Sequence, residues 1–240
     1  IEVAPQWQAH VGLRFDKFKA RSENFGTGVV NDNSSSFWNG NIGVVYKPAE
    51  NGSVYASVGT SANPAGEGNG VGGGPNSTLD PLAPERAYSY EIGTKWNLFN
   101  DRLFLSAALF RTEKNNARVT GYDPDGIANT QNIGKTRTQG FEFDVAGQIT
   151  DRWGVSAGYA YTDAKIIDGG YTCSGGVCTP STANGTRVTA TPMHAASLWT
   201  TYAVNDKLTV GGGATYIGKR QLNSAGTIVF PGQVRVDLMA

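Results

Sequence analysis

Apolar and polar residues alternate over unusually long stretches of this chain. From Gln6 to Asp16 the odd positions carry Trp7, Ala9, Val11, Leu13 and Phe15, and the even ones carry Gln8, His10, Gly12, Arg14 and Asp16. Period two belongs to strands, whose successive side chains point to opposite faces. The run is about twice the usual strand length of roughly 5–6 residues. Phe37-Lys47 repeats it, with Trp38, Ile42, Val44 and Tyr46 against Asn39, Asn41, Gly43 and Lys47. Tyr88-Asn97, Phe141-Ile149, Trp153-Asp163 and Lys207-Ile217 follow the same rule.

The links between these segments alternate in length. Pro48-Gly52, Leu98-Arg102, Thr150-Arg152 and Val204-Asp206 are short, whereas Lys17-Ser36, Ser61-Arg86, Asn116-Gly134 and Ile166-Thr191 are long. Tight turns at one end and long loops at the other predict an all-β, antiparallel transmembrane β-barrel with short periplasmic turns and long extracellular loops. About ten strands fit, the last beginning near Phe230. Arg14, Asp16, Glu91, Lys95, Glu142 and Asp144 share the polar face, which is assigned to the lumen. The opposite face is apolar and ends in Trp, Tyr or Phe, as a lipid-facing band with aromatic girdles does. A soluble β-sandwich would also alternate, but with shorter strands and more even loops.

Composition supports strands. Glycine occurs 32 times in 240 residues, beside ten Tyr, ten Phe and five Trp. Glycine disfavours helix and aromatics favour sheet. The 20 basic and 20 acidic residues cancel, which argues against a nucleic-acid partner. No apolar run reaches the length of a transmembrane helix, and the first residues lack the features of a signal peptide. Cys173 and Cys178 lie close together among Gly, Ser and Thr. That spacing points to a loop disulfide formed in an oxidising compartment, with a pair of free thiols as the alternative. No further zinc ligands lie near them, and no metal site is expected.

Some motifs match by letter only. Gly68-Asn69-Gly70-Val71-Gly72-Gly73 satisfies G-x-G-x-x-G, but Gly74-Pro75-Asn76 follows where a dinucleotide site needs a helix. Gly154-Val155-Ser156-Ala157-Gly158 satisfies G-x-S-x-G, but its serine lies within an alternating strand instead of at a strand-to-helix turn. His10 and His194, with Asp16 or Asp163, leave open a lumenal general-base pair. No catalytic residue is assigned.

The run Pro84-Glu85-Arg86-Ala87-Tyr88-Ser89-Tyr90-Glu91-Ile92-Gly93-Thr94-Lys95 resembles the "PE-x-x-x-x-E-x-G-x-K" strand of TonB-dependent outer-membrane receptors. Leu98-Phe99-Asn100-Asp101-Arg102-Leu103 follows as a periplasmic turn. Ala107-Ala108-Leu109-Phe110-Arg111-Thr112-Glu113-Lys114-Asn115-Asn116-Ala117-Arg118 resembles the catecholate-type ferric siderophore receptors in particular. Asn132-Ile133-Gly134-Lys135-Thr136-Arg137-Thr138-Gln139-Gly140-Phe141-Glu142 is similar to the family's "G-x-x-x-x-x-G-x-E" strand. The resemblance spans nearly the whole chain, residues 1-240. It implies part of a larger barrel of about 22 strands, lacking the plug domain and the final strand.

The resemblance further implies TonB-coupled import of a ferric siderophore across the bacterial outer membrane. The partners are outer-membrane lipid, the ferric siderophore and, through the missing plug, the TonB-ExbB-ExbD complex. No cofactor is implied, because the siderophore itself saturates the iron. This chain then supplies barrel wall and ligand-vestibule loops, and no enzymatic activity. The rival readings are a self-contained ten-stranded barrel acting as a hydrolase, and a passive porin or adhesin. Ferric catecholates are anionic, so cations and aromatics in the predicted extracellular parts are candidate contacts. By position these are Lys19, Arg21, Phe37, Trp38, Arg86, Tyr122, Arg137, Tyr171 and Arg187.

Overall fold

The computed structural model describes residues 2–26, 28–64, 83–122, 128–174 and 177–240. Eleven strands form one antiparallel sheet. The first eight are β1 (Glu2–Ala4), β2 (Trp7–Asn24), β3 (Val29–Ala49), β4 (Gly52–Asn63), β5 (Glu85–Leu98), β6 (Leu103–Tyr122), β7 (Ala128–Gln148) and β8 (Trp153–Asp168), each paired with the next. A separate hairpin follows, β9 (Tyr171–Ser174) with β10 (Val177–Pro180). The sheet resumes with β11 (His194–Asn205) against β8, then β12 (Leu208–Ile217). A second small hairpin joins β13 (Arg220–Gln221) to β14 (Val229–Phe230), and β15 (Gln233–Met239) pairs with β12 at the far edge. The described residues contain no helix.

The strands run further than their alternation does. β2 and β3 keep one register from Trp7 opposite Tyr46 to Asn24 opposite Val29. Most of the stretch expected to loop from Lys17 to Ser36 is therefore a hairpin arm. β6 and β7 likewise pair out to Tyr122 opposite Ala128, with register shifts around Ala117, across a stretch also expected to loop. Outside the bilayer both strand faces meet water, so polar residues fill both and the alternation fades while the backbone ladder continues. The predicted short links are turns. In the one between β5 and β6, Phe99, Asn100 and Asp101 all hold positive φ, and the Arg102 amide donates to Leu98 O at 3.0 Å. Asn and Asp tolerate that left-handed conformation better than most residues.

Register partners lie on the same face of a sheet, so the pairing sorts the side chains. One face carries Trp7, Val11, Leu13 and Phe15 of β2, opposite Tyr46, Ile42, Gly40 and Trp38 of β3. It continues through Val58, Ile92, Leu109, Phe141 and Tyr161. Val11 is 73% exposed and Leu13 72%, while the buried apolar residues are few and scattered. A soluble fold would cover such a face; here it is the face that meets lipid. Aromatic pairs mark its limits on β2 and β3: Trp7 with Tyr46, ring centroids 4.6 Å apart, and Phe15 with Trp38, 4.9 Å. The sheet is open, since its edge strands β1 and β15 pair only inward.

Candidate functional site

The other face is a polar lumenal wall. Glu91 and Lys95 of β5 and Glu142 and Asp144 of β7 flank Ser106, Ala108 and Phe110 of β6. The Tyr55 hydroxyl donates to Glu91 Oε1 at 2.7 Å, and Ser106 Oγ donates to Asp144 Oδ2 at 3.2 Å. Lys95 Nζ sits 5.3 Å from the Tyr55 ring centre. Gly93 makes this arrangement possible, because a Cβ there would fall 2.5 Å from Tyr55 Oη and 2.8 Å from Ala107 O. Three carboxylates against one ammonium leave this patch negative.

Further along the strands the wall becomes mixed. Arg14 Nε donates to Asp16 Oδ1 at 2.7 Å, and Asn39 Nδ2 donates to Asp16 Oδ2 at 3.1 Å. Lys114 Nζ pairs with Glu85 Oε2 at 3.3 Å, and Asn63 also reaches that carboxylate. A shallow depression is lined by Arg14, Asn39, Asn41, Ser61 and Ser89. Hydroxyls, amides and paired charges suit hydrogen-bonded capture of a polar ligand.

The register separates the nine candidate contacts. Lys19, Arg21 and Trp38 continue the outward series of β2 and β3. Arg86 faces Asn115 in the outward series of β5 and β6, and Arg137 faces Glu113 and Lys165. Arg187 bridges to Lys165. These six stand on the outer side of the wall. Phe37 lies opposite Asp16 on the lumenal side and is 5% exposed. Tyr171 is exposed on the β9 hairpin. Tyr122 ends β6, and its side chain lies outside the described ones.

Other sequence features resolve as follows. Cys178 is disulfide-bonded, and Cys173 is its register partner across the β9–β10 hairpin. His194 faces outward, its Nδ1 hydrogen-bonded to Tyr159 Oη at 2.8 Å, while His10 lies against Gly43 on the lumenal side. Among the described residues no carboxylate bonds either histidine, for Asp16 is taken by Arg14 and Asn39, and Asp163 by Lys165 and Arg187. Ser156 is mid-strand in β8, opposite Trp199. The Gly68–Gly73 run lies outside the described residues. No group of three or more His, Cys, Asp or Glu among the described residues could hold a metal ion. Position in the chain missed Tyr55, which the parity of β4 places on the lumenal face opposite Gly93.

Comparison with known proteins fits this architecture. Over all of its length the chain is 42% identical to the probable TonB-dependent siderophore receptor PiuA of Acinetobacter baumannii, and 35% identical over 85% of it to the catecholate siderophore receptor Fiu of Escherichia coli K12. It spans about a third of the first relative, 33%, and 26% of the second. The crystal structure of PiuA superposes with a TM-score of 0.85 over 99% of this chain and 34% of that one, at 41% identity. The closed form of Fiu gives 0.78 at 30% identity, over 99% of this chain and 36% of that one. Residues 1–240 match the family model described as TonB dependent receptor-like, beta-barrel. The open sheet, its lipid-facing band and its polar lumenal wall are thus a stretch of outer-membrane barrel, and the chain belongs to the TonB-dependent receptor β-barrel family.

Proposed function

We propose that this chain is wall and vestibule of a receptor importing a ferric siderophore across the bacterial outer membrane, driven through TonB-ExbB-ExbD. The observation that carries this is the 42% identity, over the whole chain, to a protein named as a probable siderophore receptor. The catecholate class draws support from the likeness to Fiu. Of the candidate set Phe37 stands on the lumenal side but is buried, and Tyr171 is exposed on the β9–β10 hairpin, so Tyr171 is the member open to a ligand, and the lumenal side adds Arg14 and Lys114. Both cations are already neutralised, by Asp16 and Glu85, so an anionic chelate exchanges with a carboxylate in place of meeting a bare charge. The chain acts by binding and shaping a passage, without catalysis or a cofactor.

The test is uptake of labelled ferric catecholate by iron-starved cells with and without the receptor gene. Uptake should need the gene and should stop when the proton-motive force is dissipated. Uptake that survives dissipation would identify a passive pore instead. Uptake indifferent to the gene would end the import reading.

A further inference from the structure

The sheet splits between β3 and β4 at the level of the outer aromatic girdle. Their ladder reaches Ile42 opposite Val58 and Asn41 opposite Gly59, and no pair follows among the described residues, although β3 begins at Val29 and β4 continues to Asn63. The next rung would join Gly40 to Thr60. In its place Thr60 Oγ1 stands between the strands, accepting from the Gly40 amide at 3.0 Å and donating to Gly40 O at 3.4 Å. Main-chain groups alternate between the two sides of a strand. Lys47 donates to Gln6 O, so the odd residues of β3 turn to β2 and the even ones to β4. Beyond Gly40 the N–H and C=O groups of Trp38 and Ser36 therefore face the gap. Ile42 faces β4, so its partner Val58 faces β3, and beyond it Thr60 and Ala62 turn their groups into the same gap. Among the described residues these edges have no main-chain partner.

Two such edges limit what fits between them. Each offers a donor and an acceptor at every second residue, a repeat of about 6.8 Å. An extended chain of amides has the same repeat, and its own N–H and C=O groups meet both edges. Phe15 and Trp38 mark the outer limit of the apolar band, so the gap opens into water and its groups are solvated until a ligand replaces that water. On the lumenal side it leads into the depression of about 480 Å³ that Gly40, Gly59 and Thr60 line together with Arg14 and Asn39. The Arg14 side chain stays 78% exposed while bound to Asp16, which leaves guanidinium donors for an oxyanion at the end of such a chain.

We propose that the gap between β3 and β4 is a subsite for the backbone of the imported chelate, which carries its iron-binding groups on an extended, amide-linked chain. The edge from Ser36 to Gly40 accommodates about two or three residues of it. This rests on the import reading and narrows it, from a ferric catecholate to one with a peptide backbone. The chain lies as a short additional strand, bonded to Trp38 and Ser36 on one side and to Thr60 and Ala62 on the other, with its anionic end toward Arg14. Thr60 sets the inner end of the subsite, because its hydroxyl occupies the Gly40 groups and stops the ladder from zipping further.

The test measures binding to the whole receptor in mild detergent by quenching of tryptophan fluorescence. Two synthetic ferric bis-catecholates are compared, one on a glycine tripeptide backbone and one in which ester oxygens replace the backbone N–H groups. The wild type should bind the amide chelate about tenfold more tightly, the worth of one or two main-chain hydrogen bonds. Ser36→Pro removes a donor that faces the gap and spares the ladder to β2, as proline on an edge strand does. It should bring the amide chelate close to the ester one, while Ser36→Ala should keep the full preference. Heat-modifiable gel mobility checks assembly. If Ser36→Pro fails it, Ala62→Pro removes the donor on the facing edge and should act alike. Equal affinities in the wild type, as when the receptor's own chain fills the gap, or an undiminished preference in an assembled proline variant, would overturn the subsite and leave import standing. Binding of neither chelate would overturn the import reading as well.

Discussion

Arginine at Val11 should destabilise the barrel far more than arginine three residues away at Gln8. Val11 lies midway between Trp7 and Phe15, the aromatic limits of the outward face of β2. Four residues at about 3.4 Å, tilted by about 40°, put it roughly 10 Å from either limit, near the bilayer midplane. Arginine there costs about 2–4 kcal/mol, falling to about 0–1 near the interface. Val11→Arg should therefore cost about 3 kcal/mol, a factor of over a hundred in the folding constant. Leu13→Arg, nearer the rim, should cost less. Gln8→Arg keeps its charge in the lumen and should cost under about 0.5 kcal/mol, as surface changes do. Gly12 is a poorer control, because a Cβ there would meet Asn41 Oδ1 at 2.9 Å. Guanidinium titration of the receptor in phospholipid vesicles, followed by tryptophan fluorescence, measures each value. Equal costs at positions 11 and 8, or the reverse order, would refute the assignment of faces.

Two further outcomes follow from local geometry. Gly140→Ala should prevent assembly, since a Cβ would stand 1.8 Å from Tyr161 O and force β7 from β8; Gly59→Ala, whose nearest contact would be 3.8 Å, should assemble normally. Heat-modifiable mobility of outer-membrane extracts reads both, and a normally assembled Gly140→Ala receptor would contradict the tight ladder. Reducing the disulfide at Cys178 should loosen only residues 171–180, because the closed loop is short and worth about 2 kcal/mol. Amide exchange there should quicken by about 30-fold while β7 and β8 are unchanged, and a barrel-wide change would count against a local role.

The bilayer made the sheet legible in the sequence. Between Trp7 and Phe15 a slip of one residue would turn every charge into lipid, so the alternation is strict. From Lys17 onward that penalty is gone, and the strand continues to Asn24 without any pattern to announce it. Candidate contacts suffered from the same blindness. Phe37 and Trp38 are neighbours and therefore belong to opposite faces, yet chain position alone grouped them together. Arg137 and Arg187 read as loop charges until the register placed both beside Lys165. The Tyr55–Glu91 bond joins residues 36 apart on β4 and β5, and no local pattern reports a pairing at that separation.

The open edges make the last prediction. β2 is paired along its full length to β3, but on its other side the described pairs are Glu2 with Gln8 and Ala4 with Trp7. From His10 to Phe15 about half the backbone groups point to that free side. Each group left unsatisfied in lipid costs several kcal/mol, so the edge alone costs on the order of 10–20 kcal/mol, as much as the whole net stability of a typical domain at about 5–15. β15 presents the same problem beyond β12. Residues 1–240 expressed alone should therefore not hold this sheet in a bilayer as a monomer, while within the receptor both edges should be paired to further strands. Amide exchange by mass spectrometry separates the cases. In the receptor, β2 and β15 should be protected as well as β7; in the isolated chain they should exchange fast or be protected only in oligomers. A monomeric isolated chain in vesicles with β15 protected like β7 would mean that the sheet closes on itself, and the reading of this chain as one arc of a larger barrel would fall.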